Sequence, residues 1–482
     1  MAQNSATVPL VAIVGGGISG LVAAQALAVA KSGPPVRVAI LEATDRLGGK
    51  VLTRELGGRP IEAGPDAFLT RSPEAVELCR ELGLGDQLIA PSGAPASIWM
   101  NGRLCPIPAG LTLGVPVRFV PLMRSGILSP LGLLRAALEP MLTRQRLSEE
   151  PTVAELIIPR FGREVFERLV DPLLGGIYAG RSDRLSATAV MPRLLALARG
   201  SGSLVRALRG EASTAAAGSA TFNSLSGGLG SLIDALAGSL GRSGVDVQLS
   251  SPVRTLRRDG DGRIVLERAK APSVVADAVI IAAPASDAGS ILAAGAPNLA
   301  KELNRIEYAS VAMVGLAYSP AAIPSPSPSS GFLVPRGKGR MLVGVTAVSA
   351  KWPQPSGAEQ ILYRAAVGRS DDEHWRSQGD EQLVRLVHTE LAGYLGLTQA
   401  PASSQVTRWP GAIPQYNVGH QARLSRIGSM LEFLPGVFLC GAGYEGLGIP
   451  ACIRQGREAA EKVLDGLPRS DSDPGWGRRA TP

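Results

Sequence analysis

The chain is poor in the residues that build most metal and acid–base centres. Its 482 residues include four cysteines and three histidines. Cys79, Cys105, Cys440 and Cys452 are scattered, no CxxC occurs, and His374, His388 and His420 are not spaced to complete a zinc site. A metal centre and a disulfide framework are therefore not expected, and the thiols are expected reduced in a cytoplasmic setting. Aromatic residues are 4%, and no basic run is interleaved with them. The formal charge of +8 is thus not read as a nucleic-acid surface, which leaves an anionic small molecule or an anionic membrane as its partner. No uncharged apolar stretch reaches 18 residues, so no membrane span is expected. The first eight residues lack a charged segment followed by an apolar one, so no signal peptide is read. Hydrophobic residues at 45% exclude wholesale disorder.

What the chain does have is glycine, 58 in all, and the glycines are grouped. The apolar run Val-Ala-Ile-Val at 11–14 suits a buried strand. It is followed by Gly15, Gly16, Gly17, Ile18, Ser19 and Gly20, then by Leu21, Ala24, Leu27 and Ala28 at helical spacing. A second apolar run at 36–41 closes a βαβ unit and ends in Glu42, 22 positions beyond Gly20. Gly15 permits the tight turn, Gly17 lets backbone approach a pyrophosphate, and Gly20 allows close helix–strand packing. The phosphates meet the helix N-terminus, and Glu42 accepts from a ribose hydroxyl. A glycine motif alone is weak; with both strands, the helix and the acid present, it predicts a dinucleotide. Whether the dinucleotide is NAD or FAD is left open by this unit.

Past Glu42 come Arg46, Gly48, Gly49 and Lys50, then Ile61-Glu-Ala-Gly64-Pro65-Asp66-Ala67-Phe68. An arginine can pair a phosphate bidentately and adjacent glycines allow close approach to a ligand. This arrangement resembles the superfamily of flavin-containing amine oxidases and protoporphyrinogen oxidases. The resemblance implies FAD, with Arg46, Gly49 and Lys50 at the pyrophosphate and Gly64, Pro65, Asp66 and Ala67 beside the isoalloxazine. It also implies that Val253 brackets the adenine. Near the C-terminus, a strand at 437–440 leads through a glycine-rich turn to a helix starting near Pro450. That helix N-terminus, with Leu447, Gly448 and Ile449, would stabilise negative charge on a reduced flavin.

The segment Arg408-Trp409-Pro-Gly-Ala-Ile-Pro-Gln415-Tyr416-Asn-Val-Gly-His420, with Asp171-Pro172 and Gly176-Ile-Tyr-Ala-Gly180, is similar to the protoporphyrinogen oxidase family, and the stretch Asn101 to Leu122 resembles its bacterial branch. Trp409 belongs to the cofactor side of that pattern. The resemblance covers nearly the whole chain. It implies six-electron oxidation of protoporphyrinogen IX to protoporphyrin IX, with molecular oxygen as acceptor and hydrogen peroxide as product. Coproporphyrinogen III is the alternative substrate by the same chemistry. Another flavin oxidase of the superfamily, acting on an amine or a carotenoid, and a non-catalytic flavoprotein are remoter alternatives. Gly176 and Leu333 are the residues that the resemblance places against the macrocycle. Plant and animal relatives carry an arginine for a propionate where this chain has Ala96; Arg103 is the nearest replacement in sequence.

The expected architecture is α/β: a Rossmann-type FAD domain, an α+β substrate domain and a mainly helical membrane-associating subdomain. The FAD domain is assigned residues 1–90, 213–300 and 405–466. The helical subdomain takes 91–212, the substrate sheet 301–404, and 467–482 form a disordered tail. Residues 101–146 hold six arginines (Arg103, Arg118, Arg124, Arg135, Arg144 and Arg146), no lysine and one acid, Glu139, between apolar stretches. Such helices suit peripheral contact with the inner face of the cell membrane, or an ordinary helical lid. Neither a monomer nor a homodimer is selected.

Overall fold

The computed structural model describes residues 8–467 except 31–32, 143–145, 213–220, 325–328, 338 and 354–358. Arg144 and the tail from 468 lie outside the described residues.

Strand Leu10–Val14 sits at the centre of a five-stranded parallel sheet, ordered Asp246–Gln248, Arg37–Leu41, Leu10–Val14, Ala278–Ile281 and Val437–Leu439. Its near-continuous apolar sequence follows from burial on both faces. Val11 and Ile13 pack toward helices Ile18–Ala28, Gly230–Arg242 and Ile449–Gly466, while Ala12 and Val14 face helices Ala285–Leu292 and Pro297–Asn304. All four pairings are parallel, so the C-terminal ends of Leu10–Val14 and Val437–Leu439 open at one edge.

A second, seven-stranded sheet is ordered Ser403–Pro414, Tyr308–Tyr318, Ile361–Val367, Leu342–Ala347, Gly331–Leu333, Ala96–Met100 and Arg103–Pro106. One face is closed by helix Asp380–Leu395 over Tyr318, Tyr363 and Trp375. On the other face the register aligns Met313, Ala366, Gly344 and Leu333 in one cross-strand row. Gly315, Arg364, Thr346, Gly331 and Ala96 form the next row. Met313, Leu333, Gly344, Thr346, Arg364 and Ala366 are only half-buried, so this face is open to a cleft.

Two segment boundaries differ from those expected. The hairpin Ala96–Pro106 is a part of the seven-stranded sheet, Ala96–Met100 pairing in parallel with Gly331–Leu333, although Ile98 and Cys105 pack into the core of the helices that follow. Ser403–Pro414 is the edge strand of the same sheet, so the chain returns to the five-stranded parallel sheet only after Pro414. Both placements are fixed by partners remote in sequence.

The helices of 119–212 enclose their own apolar core. At its centre Arg160 pairs with Glu139 at 3.1 Å, both side chains fully buried. Glu139 also accepts from Ser203 Oγ and from the amides of Leu204 and Val205, capping helix Leu204–Ala212. Arg160 donates to the carbonyls of Gly202 and Ala198. The lone acid of the basic segment is therefore an internal ion-pair partner. Helix Pro130–Ala137 is inverted relative to a normal surface helix: it buries Gly132 and Ala136 and exposes Leu131 and Leu134. Val120, Met123, Leu138 and Met141 are exposed beside it. Among the described residues no helix is long and apolar enough to cross a membrane.

Candidate functional site

The first glycine turn has the geometry of a phosphate cradle. Gly15 takes φ +107° and its amide donates to Leu41 O at 2.9 Å, which ties the turn to the neighbouring strand. A Cβ on Gly20 would collide with Gly15 O, so that glycine is a packing requirement. Gly17 differs: a Cβ there would meet nothing within 4 Å. It is also the N-cap of helix Ile18–Ala28, and no side chain caps that helix. Free space and the uncapped N–H groups of the first turn, including Ile18 and Ser19, together fit an anionic phosphate.

Glu42 is buried and accepts from Gly16 N at 2.6 Å and from Thr44 N and Oγ1 at 2.8 and 2.7 Å. Oε1 accepts both Thr44 donors, but Oε2 accepts only Gly16 N and retains a lone pair, so a ribose hydroxyl can still be bound. Ser251 N donates to Glu42 O, which brings Val253, two residues on, to the same corner. Gly48 N donates to Gly16 O, and a Cβ on Gly49 would lie 3.1 Å from Gly17 Cα, so the two glycine loops are stacked. Arg46 donates to the carbonyls of Leu47 and Gly49 and lies 5.8 Å from the Trp409 ring centroid. Burial lowers its guanidinium below the usual value against the pull of Glu42. Lys50 is solvent-exposed yet crowded by protein. Desolvation lowers its ammonium more than Cys452 and Asp287 raise it.

Helix Ile449–Gly466 starts at Gly448, again without a side-chain cap and with Pro450 in its first turn. It packs so tightly on helix Ile18–Ala28 that a Cβ on Gly456 would sit 2.5 Å from Ser19 O. Two uncapped helix N-termini therefore adjoin, one preceded by Gly15–Gly17 and the other by Leu447 and Gly448. All four cysteines are buried free thiols, and burial pushes that of Cys440 well up.

Between the two sheets runs the segment 62–67. Trp409 Nε1 donates to Ala63 O at 2.6 Å, and Arg364 Nη1 to Gly64 O at 2.7 Å. Asp66 pairs with Lys351 at 2.7 Å and with Arg364 at 3.3 Å. Burial alone would raise the Asp66 carboxyl, but Arg364 and Lys351 outweigh it and hold the group below its ordinary value. Glu62 behaves oppositely. Desolvation pushes it up to about 7, although Leu229 N donates to it at 2.6 Å and Thr53 Oγ1 at 2.9 Å. A cavity of about 390 Å³ opens beside this hairpin, lined by Pro60, Glu62, Asp66, Trp352, Leu362 and Arg364 among others.

Gly176 and Leu333 come together from separate domains. Gly176 is exposed, and a Cβ on it would lie 3.1 Å from Leu333 Cδ2. The segments next to them are tied by two arginines for which the sequence carried no local signal. Arg369, 5% exposed, donates to Val334 O at 2.8 Å, and its second nitrogen lies against Gly175. Arg336 donates to Gly180 O and pairs with Asp171 and Asp371. Arg103 is on the outer edge strand with its guanidinium against Gly126, away from this wall. Ala96 is exposed in the row of Gly331, Thr346 and Arg364. No histidine reaches the wall. His374 is exposed, His388 meets Tyr318 Oη behind the sheet, and His420 is buried against Tyr444 O. Among the described residues no cluster of His, Cys, Asp or Glu could hold a metal.

Residues 18–464 match the sequence profile of the family described as flavin containing amine oxidoreductase. The coproporphyrinogen III oxidase of Bacillus subtilis (strain 168) is 32% identical, over 94% of this chain and 97% of its own. Protoporphyrinogen oxidase 1, chloroplastic, of Arabidopsis thaliana is 30% identical over 95% of this chain and 88% of its own. A crystal structure of a protoporphyrinogen oxidase candidate from Exiguobacterium sp. 255-15 superposes with a TM-score of 0.84 at 30% identity, covering 95% of this chain and 99% of that one.

Proposed function

Because the chain belongs to the flavin containing amine oxidoreductase family, we propose that it is an FAD-dependent, oxygen-using porphyrinogen oxidase whose preferred substrate is coproporphyrinogen III. Protoporphyrinogen IX is the second substrate, turned over by the same chemistry. The observation that carries the reading is full-length similarity to the coproporphyrinogen III oxidase of Bacillus subtilis. It moves the weight from the two-propionate porphyrinogen to the four-propionate one. Ala96 agrees, since it offers no cation to recognise one particular propionate edge.

When bound, FAD supplies two-electron oxidation three times per macrocycle, the electrons leaving to molecular oxygen as hydrogen peroxide. The chain's own part is binding and orientation. Gly15, Gly16, Gly17, Ile18, Ser19 and Gly20 would cradle the pyrophosphate, Arg46, Gly49 and Lys50 add donors, and Glu42 holds a ribose. Gly64, Pro65, Asp66, Ala67 and Trp409 flank the ring, and the helix beginning at Gly448 favours negative charge on it. Gly176 and Leu333 form the wall against which the macrocycle lies. The pyrrole protons would leave to solvent, and the chain's contribution is proximity and orientation. The exposed leucines of Pro130–Ala137, with Val120 and Met123, would rest on the inner face of an anionic membrane.

The test is porphyrin fluorescence, with coproporphyrinogen III and protoporphyrinogen IX offered separately under air and peroxide measured alongside. Both should fluoresce, with the higher kcat/KM for coproporphyrinogen III and three peroxides per porphyrin. No fluorescence from either overturns the function, and rejection of coproporphyrinogen III overturns the substrate order.

A further inference from the structure

Directly after the edge strand Ser403–Pro414, two adjacent buried side chains reach opposite walls of the cleft. Gln415 is 3% exposed and its Nε2 donates to Tyr178 O at 2.7 Å and to Ile413 O at 3.0 Å. Its Oε1 lies so close to Gly180 that a Cβ there would collide with it. Tyr416, 2% exposed, lays its ring 5.8 Å from that of Tyr178 and carries its hydroxyl to a different segment. Its hydroxyl donates to Ala442 O at 2.5 Å and accepts from Gly446 N at 3.2 Å. The Tyr416 ring is stacked on His420 at 4.4 Å, and His420 Nε2 is 3.1 Å from Tyr444 O. The backbone is tied as well: Ser186 N donates to Tyr416 O and Val418 N to Arg184 O.

Consecutive α-carbons are about 3.8 Å apart, so one peptide unit separates the anchor of residues 178–180 from the anchor of residues 442–446. The first segment continues the Gly176 wall, and the second leads into Leu447, Gly448 and the helix N-terminus. We infer that Gln415 and Tyr416 are paired positioning residues: Gln415 fixes the substrate wall and Tyr416 fixes the cofactor loop, so that the spacing between macrocycle and flavin is set by this one dipeptide. The inference rests on the proposed function, because it takes the Gly176 segment as the substrate side and residues 447–449 as the flavin side.

The experiment uses the purified flavin-loaded enzyme with Tyr416→Phe, Gln415→Leu and Gln415→Glu. Losing the Tyr416 hydroxyl leaves a carbonyl and an amide unpaired, which should weaken flavin affinity about tenfold and shift the flavin absorbance bands. Gln415→Leu should raise the porphyrinogen KM about tenfold, with kcat and the flavin spectrum within about twofold. Gln415→Glu should show the same KM defect at pH 8 and recover on acidification. A carboxylate there faces two carbonyl oxygens, whereas a neutral carboxyl can donate to Tyr178 O. A merely structural role would move Tm and flavin affinity together with KM, whereas positioning moves KM alone. Unchanged flavin affinity and spectrum in Tyr416→Phe, or a wild-type KM in Gln415→Leu, overturns the pairing. So does a wild-type pH profile in Gln415→Glu. The flavin measurement needs no substrate, so it decides the pairing even if the wild type oxidised neither porphyrinogen, an outcome that would instead remove the proposed function. Should Tyr416→Phe fail to fold, acid rescue of Gln415→Glu, or its absence, still decides.

Discussion

The two walls of the cleft are made differently. The wall proposed for the cofactor is mostly backbone: glycines, two helix N-termini without side-chain caps, and one buried carboxylate, Glu42. Its parts lie within short stretches of sequence. The wall proposed for the substrate is made by side chains that meet from distant segments, with Gly176 against Leu333 and the neighbouring Gly180 and Val334 carbonyls bonded to Arg336 and Arg369. A wall of backbone tolerates loss of side chains and fails when one is added. A wall of side chains fails when a partner is removed.

The sharpest test of that contrast is Gly17→Val. A Cβ at Gly17 meets no protein atom, so the fold should survive with an unchanged apoprotein Tm. The side chain would occupy the pyrophosphate path, and the purified protein should be colourless, with flavin affinity reduced more than a hundredfold. Flavin retained at wild-type stoichiometry would remove the cradle assignment.

On the other side, Arg160→Met leaves Glu139 buried with its charge uncompensated. Removing one member of a buried pair costs about 3–5 kcal/mol, so the urea midpoint should fall steeply. Replacing both residues by apolar ones should recover much of the loss. Equal destabilisation in single and double variants would show that the pair itself contributes the stability.

A third comparison lies between two neighbouring acids. Asp66 is held low by Arg364 and Lys351, whereas burial raises Glu62 to about 7. A carboxyl whose folded pKa lies above its unfolded value binds its proton more tightly when folded. Its contribution is complete below about pH 4.5 and lost as pH rises through 7. A rise from 4.5 to about 7 corresponds to an effect on the order of 3 kcal/mol. Glu62→Gln should flatten the stability profile between pH 4.5 and 7 and be the more stable protein at pH 8. A variant with the wild-type slope would remove Glu62 as its source.

The cofactor wall was legible because its signals are local. Val11–Val14, Gly15–Gly20 and Glu42 each act through the chain immediately around them, and the periodicity of Leu21, Ala24 and Leu27 marks the helix that follows. The substrate wall was legible only as a resemblance, through Gly176 and Leu333. Nothing near Ala96 announces that its strand pairs in parallel with Gly331–Leu333, and nothing near Arg364, Arg336 or Arg369 announces a carbonyl or carboxylate partner. Arg160 is the exception. It lies on the stripe Val153, Leu156, Ile157, Arg160 and Phe161, and an arginine at helical spacing on an apolar face implies a buried acid. Glu139, alone among arginines, was the available partner.

Gly176→Ala probes the contact itself. The added Cβ would lie 3.1 Å from Leu333 Cδ2, so Leu333 must shift. The porphyrinogen KM should rise about tenfold with flavin content unchanged, and Leu333→Ala in the same chain should recover most of the loss. Additive defects would show that the two residues do not act through one another.

The smallest expected effect concerns the outer surface of the helical subdomain, where composition and structure disagree about the driving force. Six arginines in residues 101–146 suggested binding driven by charge. Arg135, however, donates to the carbonyls of Pro159 and Arg160, and Arg103 lies against Gly126. The inverted helix instead presents Leu131 at 79% and Leu134 at 59% exposure. Apolar insertion should therefore outweigh electrostatic attraction. In flotation with anionic vesicles, Leu131→Gln with Leu134→Gln should lower the bound fraction severalfold. Arg118→Gln with Arg124→Gln should lower it less, and added salt should have a modest effect. A larger loss from the arginine pair would restore the electrostatic reading. No flotation of the wild type would leave this face without a membrane partner.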